Sequence, residues 1–260
     1  MLALVNRCVL VLLLAAPAAA AADDPELAAL FRTRGVTGTM LITSVSGDTA
    51  FAYNQTRAGI RYSPASTFKI ANSLIALEER AIRDEHDTLR WDGVERSIPS
   101  WNRDHCLESA FRASCVWFYQ EIARRVGMEK YRSYLKSLAY GNQRTGTSVD
   151  RFWLDGALSI SAVEQIEVLK NVHARRYPFS RRSYDILQNI MVDLSGPAYV
   201  LRAKTGRTGG DADLGWYVGY VQTDRTVWFF AMNIDLRAET DVPLRKELAL
   251  EALRRKGIIP

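Results

Sequence analysis

The sequence predicts an α+β fold: an antiparallel sheet flanked by helices and carrying a mainly helical insert. Three observations predict it. Near the N-terminus, GTMLITSVSGDTAFAYN (Gly38 to Asn54) is two strand-like runs around Ser46-Gly47-Asp48, which is a hairpin signal. Near the C-terminus, three β-rich runs follow one another: AYVLRAKTG, GWYVGYVQT and TVWFFAMNI. Between the two ends, apolar residues recur at helical spacing, and no Pro- or Gly-rich linker divides the chain. Strands at both ends with helices between fit one sheet interrupted by a helical insert.

The elements follow in order. Residues 1–22 contain one Arg, a short apolar run and then small residues ending in Ala18-Ala19-Ala20. Val9 to Ala16 is too short to span a bilayer. This segment reads as a cleaved secretory signal peptide, so the mature domain is expected over 23–260. Past the hairpin, SPASTFKIANSLIALEER (Ser63 to Arg80) is a helix with Ile70, Leu74, Ile75 and Leu77 on its apolar stripe. Ile82 to about Asp150 reads as mostly helical, with loops around Trp91-Asp92-Gly93 and Ile98 to Arg103. Further amphipathic helices are expected over Ser161 to Ala174 and Ser183 to Val192. The last two β runs join through a short turn at Asp224-Arg225, and a helix over Pro243 to Arg255 closes the chain.

Composition bounds the function classes. The chain has 260 residues, 48% apolar and 24% charged, ordinary for a globular domain with a sizeable core. Formal charge is +5, and loss of Arg7 with the signal leaves +4. The basic residues are scattered, with no clustered patch interleaved with aromatics, which argues against nucleic-acid binding. No later segment is long and apolar enough to be transmembrane. An exported protein could pair its two remaining cysteines, Cys106 and Cys115. However, Leu107, Ala110, Phe111 and Ser114 predict a helix between them, whose length of roughly 13 Å exceeds the ~7 Å reach of a disulfide. Two free, buried thiols are therefore expected.

Several familiar machineries are absent: G-x-S-x-G, H-E-x-x-H, Walker A, G-x-G-x-x-G and C-x-x-C. His86, His105 and His173 are isolated in charged surroundings and read as surface residues, so a Ser-His-Asp triad has little to work with. What remains is a hydroxyl and an amine three residues apart, Ser66 and Lys69, which are neighbours on a helix. The S-x-x-K pattern alone is weak, and Ser133-Tyr-Leu-Lys136 repeats it on an ordinary helix surface. The first copy differs. Pro64 and small residues place Ser66 near a helix N-terminus, where unpaired N–H groups stabilise an oxyanion. The apolar run after Lys69 half-buries its amine, which lowers its pKa and frees a neutral base. The bland alternative is a helix cap beside a snorkelling lysine.

A second element changes that balance: Lys204-Thr205-Gly206 ends a strand, as VLRAKTG. S-x-x-K followed by K-T-G resembles the penicillin-recognising serine enzymes. The S-D-N of class A is missing, and Glu167 and Asn171 lie in the periodic helix SAVEQIEVLKNVHA, where they read as helix surface. In its place stand Ser114-Cys115-Val116, then Tyr140-Gly141-Asn142 and Arg151-Phe152-Trp153-Leu154. Together with WDG (Trp91), WNRD (Trp101), ISAVEQI (Ile160), GWYVGYV and LRKEL (Leu244), these strings resemble the class D β-lactamases, the oxacillinases, over nearly the whole mature chain.

The resemblance implies roles. Ser66 would be the nucleophile, acylated by the β-lactam. Lys69 would be carboxylated by CO₂ to N6-carboxylysine and act as general base, with bicarbonate as the only auxiliary requirement and no metal or other cofactor. Trp153 would hold the carbamate, and Ser114 would pass a proton to the leaving nitrogen. Val116 and Leu154 would wall the pocket. Lys204, Thr205 and Gly206 would line the groove, Arg245 would bind the substrate carboxylate, and the backbone N–H groups of Ser66 and Arg207 would form the oxyanion hole. Tyr140-Gly141-Asn142 would be a structural loop at the site rim. Position 207 is often aromatic in the family, so Arg207 is expected to alter substrate preference, and the Gly-rich loop RTGGDADL after it is expected to be mobile. The implied protein is a periplasmic hydrolase of small-molecule β-lactams, a monomer or homodimer without nucleic-acid partner or membrane insertion. Two other classes share the motifs: an acylated sensor domain without turnover, and a cell-wall transpeptidase. Both usually carry a membrane anchor, and this chain shows only a cleavable signal.

Overall fold

The computed structural model describes residues 22–210 and 212–260; the predicted signal peptide lies outside them but for its last residue. Among the described residues, no helix is long and apolar enough to cross a membrane.

Helix α1 (Pro25–Thr33) opens on Asp24, whose carboxylate accepts from the Glu26 and Leu27 N–H groups at 3.1 and 3.0 Å. The predicted hairpin forms as β1 (Gly38–Ser44) and β2 (Ala50–Tyr53), followed by one turn of helix, α2 (Gln55–Ala58). A 3₁₀ turn over Ala65–Phe68 leads into α3 (Lys69–Glu78). The insert then runs through β3 (Thr88–Leu89), β4 (His105–Cys106), α4 (Leu107–Arg112), α5 (Val116–Val126), α6 (Met128–Ser137), α7 (Ala162–His173) and α8 (Arg181–Ile190). The chain closes with β5 (Val192–Gly196), β6 (Tyr199–Arg207), β7 (Leu214–Thr223), β8 (Val227–Asp235) and α9 (Leu244–Arg255).

The six-stranded sheet has the order β2-β1-β8-β7-β6-β5, antiparallel throughout. The N-terminal hairpin therefore joins the C-terminal meander through the β1–β8 pairing, Gly38 opposite Ile234. Strand alternation splits the core in two. On one face Trp216, Val218 and Tyr220 pack towards the helical insert; on the other Tyr217 and Val221 pack with α1 and α9. Covered on both sides, β7 is buried from Leu214 to Val221, which explains its nearly unbroken run of apolar residues.

Four expectations need correction. The segment 82–104 is largely irregular and carries the β3–β4 ladder rather than helix, because side chains hold its turns: Asp104 accepts from the Trp91 N–H at 2.8 Å, and Asn102 from the Arg96 N–H at 2.9 Å. The helix expected over 183–192 starts earlier, capped by Ser180, and stops at Ile190, since Val192 already pairs with Arg202 in the sheet. His105 is buried, held between the Ser109 hydroxyl and the Ser100 carbonyl, each at 2.9 Å, and His173 is half-buried edge-on against Tyr220 and Phe229; only His86 is exposed. Both thiols are free, as the intervening α4 requires, but only Cys115 is fully buried, whereas Cys106 is half-buried.

Candidate active site

Ser66 sits in the 3₁₀ turn that starts α3, directly after Ala65, whose φ of +46° is in the left-handed region. A non-glycine residue there costs about 1–2 kcal/mol, so surrounding contacts must impose it. They do. The Thr67 hydroxyl donates to the Pro64 carbonyl at 2.7 Å, and Gln165 of α7 donates to that hydroxyl at 2.8 Å. The Trp216 indole of β7 donates to the Ser63 carbonyl at 3.0 Å. Strand β6 presses against the same turn: a Cβ on Gly206 would meet the Pro64 carbonyl oxygen at 3.0 Å and the Thr67 methyl at 3.2 Å. That close approach is the physical reason for glycine after Lys204-Thr205.

Lys69 follows one turn later. Its Nζ lies 2.8 Å from Ser66 Oγ, and the residue is fully buried rather than half-buried, because the Tyr119 ring of α5 lies beneath it with its centroid 4.9 Å away. Tyr119 is itself pinned by a 2.8 Å hydrogen bond with Ser73. Burial drives the Lys69 pKa down from 10.5 to about 7. At neutral pH a large fraction of this amine is therefore uncharged and free to accept a proton.

Trp153 is fully buried, with ring centroids 5.8 Å from Phe68 and 5.0 Å from Phe152. Its Nε1–H has no hydrogen-bond partner among the described residues. An orphaned buried donor costs about 1–3 kcal/mol, so this one marks a place for an acceptor. Ser114 ends the turn after α4 with φ +53°, a second non-glycine residue in left-handed backbone. Lys204 of β6, also buried, donates a short hydrogen bond to Ser114 Oγ. Burial first, then the neighbouring Lys69 and Arg245 charges, push the Lys204 pKa well below its usual value. The strain at Ser114 thus aims its hydroxyl at an amine on the opposite wall.

These groups open into one cleft of about 380 Å³, lined by Ser66, Ser114, Val116, Leu154, Thr205, Gly206, Arg207 and Arg245 among others. Arg245, in the first turn of α9, donates from Nη1 to the Gly206 carbonyl at 2.8 Å. The predicted site residues therefore converge, with Lys69, Lys204 and Trp153 buried behind the lining. One expectation shifts. Tyr140-Gly141-Asn142 lies behind the Ser66 turn, not at the rim: Tyr140 packs edge-on against Phe68 at 5.3 Å, and Asn142 is bonded to Ser159 and Ala157. Glu167 and Asn171 lie on α7 away from the cleft, as their helical periodicity predicts, the first exposed and paired with Lys170, the second bonded to Tyr177. The Arg207 side chain pairs with Asp213 at 2.6 Å and Glu239 at 2.7 Å. Sequence reasoning missed Ile98, Glu239 and Val242 as lining residues and Tyr119 as the floor under Lys69. Tyr119, Ile98 and Val242 lie within three residues of a quoted motif, whereas Glu239 carries no such signal.

The penicillin binding protein transpeptidase domain family matches residues 34–254. Among curated proteins, the chain is 41% identical over 224 residues to β-lactamase OXA-48 of Klebsiella pneumoniae, covering 86% of this chain and 84% of that one. It is 39% identical over 222 residues to the probable β-lactamase YbxI of Bacillus subtilis, covering 85% and 82%. Among solved structures, it superposes on the class D β-lactamase YbXI from Nostoc with TM-score 0.88 and 41% identity, covering 90% of this chain and 99% of that one.

The chain belongs to the class D β-lactamases.

For a class D β-lactamase, the geometry accounts for the motif order. S-x-x-K, the S-x-V that begins at Ser114, and K-T-G come from α3, the α4–α5 turn and β6, three elements that the sheet and insert bring to one cleft. Another relative, FUS-1 (OXA-85) from Fusobacterium nucleatum, keeps this fold at 30% identity, with TM-score 0.89 over 92% of this chain and all of the other.

Proposed function

We propose that this class D enzyme hydrolyses the β-lactam amide of penicillins through an acyl-enzyme on Ser66, and that it is exported to the periplasm with residues 1–22 removed. The observation that carries the reading is the 2.8 Å contact between Ser66 Oγ and a fully buried Lys69 whose pKa falls to about 7. A lysine whose pKa is near neutrality beside a serine hydroxyl can take its proton and so activate it as a nucleophile.

The residues also fit a CO₂ adduct on Lys69. Only a neutral amine adds CO₂, burial keeps this one largely neutral, and Trp153 Nε1–H is an unpaired donor. When bound, the CO₂ would supply a carboxylate base at the end of Lys69. Around it, this chain's own groups have definite tasks. Ser66 Oγ gives up its proton to Lys69, 2.8 Å away, as it attacks the lactam carbonyl, with the Ser66 and Arg207 N–H groups receiving the oxyanion. Ser114 Oγ gives its proton to the departing lactam nitrogen and is resupplied across its hydrogen bond with Lys204. Arg245 orients the substrate carboxylate, and Val116 and Leu154 restrict how water reaches the ester.

The test is penicillin hydrolysis by the mature protein after a low-pH exposure, with and without added bicarbonate. Turnover restored by bicarbonate is the expected result. A single stoichiometric burst that bicarbonate leaves unchanged would instead identify an acylated sensor that does not release its ester.

A further inference from the structure

The side of the cleft formed by the β6–β7 loop carries charges that the acylation chemistry does not use. Arg207 reaches away from the nucleophile and is shared by two carboxylates, Asp213 Oδ2 on Nε at 2.6 Å and Glu239 Oε2 on Nη1 at 2.7 Å. The two partners differ. Asp213 is mostly covered, its side chain 12% exposed, and its second oxygen accepts the Gly209 N–H at 2.8 Å, so it is committed to shaping the loop. Glu239 comes from the β8–α9 connection, lines the cleft beside Thr208, Gly209 and Val242, and keeps its side chain 79% exposed. The Glu239 and then the Asp213 hydrogen bonds hold Arg207 firmly charged. On the same wall, Arg245 lies near enough for Arg207 to lower its pKa, after the larger effect of burial.

We propose that Glu239, anchored by Arg207, is a specificity-determining residue: a fixed negative charge at the cleft mouth that disfavours β-lactams bearing a second anionic group on their side chain and favours those bearing a cationic one. This rests on the β-lactamase reading of the site. A substrate presents one obligatory carboxylate, which Arg245 takes. Whatever projects beyond the ring passes the mouth, where Arg207 is already neutralised by Asp213 and Glu239 contributes the uncompensated charge. An aromatic residue at position 207 would supply no cationic fork to share between two carboxylates, so this arrangement belongs to the arginine in this chain. The interaction acts through exposed, solvated groups, so it is modest and is screened as the Debye length shrinks from about 30 Å at 0.01 M salt to about 8 Å at physiological ionic strength.

The experiment compares kcat/KM for two penicillins of similar size, one with a neutral side chain and one with a side-chain carboxylate, at low and high salt. The proteins are the unaltered enzyme, Glu239→Gln, and Glu247→Gln, a control that changes net charge equally on an exposed face of α9. The expected result is that Glu239→Gln raises the dianionic-to-neutral ratio about threefold at low salt, as for a solvent-screened unit charge. The gain shrinks at high salt, and the control leaves the ratio unmoved. Turnover of the neutral penicillin with an unchanged ratio in Glu239→Gln overturns the inference alone, as does an equal rise in the control. No turnover by the unaltered enzyme overturns the activity reading and this inference together.

Discussion

Replacing Lys69 by Met should make the protein more stable while destroying turnover. Met is similar in length and apolar, so it fills the same space between Ser66 and the Tyr119 ring. What it removes is a buried amine. The Lys69 pKa is about 7 in the folded protein against an ordinary 10.5. At pH 7 that difference corresponds to about 4 kcal/mol of destabilisation, an upper bound because the Ser66 hydrogen bond and the aromatic contact are lost as well. The sign follows from proton counting. Between about pH 7 and 10.5 the unfolded chain binds more protons at this lysine than the folded one, so the unaltered protein gains stability as pH rises. The Met variant lacks this gain. Its advantage should be largest at pH 7 and below, fall to about 2 kcal/mol near pH 9, and vanish by about pH 10.5. The assay is urea unfolding at several pH values in CO₂-depleted buffer, with a rise in Tm at pH 7 of about 5–10 °C as a second reading. Adding bicarbonate should narrow the gap, because a ligand that binds only the folded amine stabilises it. A Lys69→Met protein no more stable than the parent at pH 7, with a parallel pH dependence, would show that the amine is not held in a costly environment.

Three further outcomes are expected. Trp153→Phe keeps the ring packing on Phe68 but removes the orphaned Nε1–H, so the bicarbonate concentration needed for half-maximal turnover should rise about tenfold or more, the worth of one charge-assisted hydrogen bond; an unchanged requirement would dissociate Trp153 from Lys69. Arg245→Ala should raise KM for penicillins by about 10- to 100-fold, with a smaller effect on kcat, and steady-state kinetics would contradict the carboxylate role if kcat alone fell. Gly141→Ala should destabilise the protein by roughly 3 kcal/mol or more, measured by thermal unfolding. Its φ is +50°, and the new Cβ would lie 2.0 Å from the Ser159 carbonyl oxygen.

The buried amine also bears on why the site is built into the molecule's centre. Its floor is Tyr119 of α5, and its front wall is Lys204 of β6, near enough for Lys69 to lower its pKa and bonded to Ser114. Each wall comes from a different element, so relaxing any of them admits water and returns Lys69 towards its ordinary pKa. Stability and activity therefore pull in opposite directions at this position.

The sequence by itself determined the strands at both ends, the helical character of α3, α7 and α9, and the motif set around Ser66, Lys69, Ser114 and Lys204. These are local properties: alternation, helical spacing, and residue types within a few positions of one another. The freedom of the two thiols was also legible, because the rise of α4 keeps Cys106 and Cys115 apart whatever surrounds them. Only the tertiary structure decided the rest. His105 read as exposed, since no local pattern reveals that Ser100 and Ser109 will bracket it. The full burial of Lys69 depends on Tyr119, fifty residues further on, and the vacant donor of Trp153 depends on every neighbour that does not reach it. The left-handed backbone at Ala65 and Ser114 runs against residue preference, and is imposed by contacts from α7, β6 and β7 in one case and accompanied by the Lys204 hydrogen bond in the other. Glu239 entered the site only because β8 returns beside β7 and delivers its loop to Arg207, a pairing of residues 32 positions apart. Burial, strain and long-range charge pairing are properties of what surrounds a residue, and the surroundings exist only once the chain has folded.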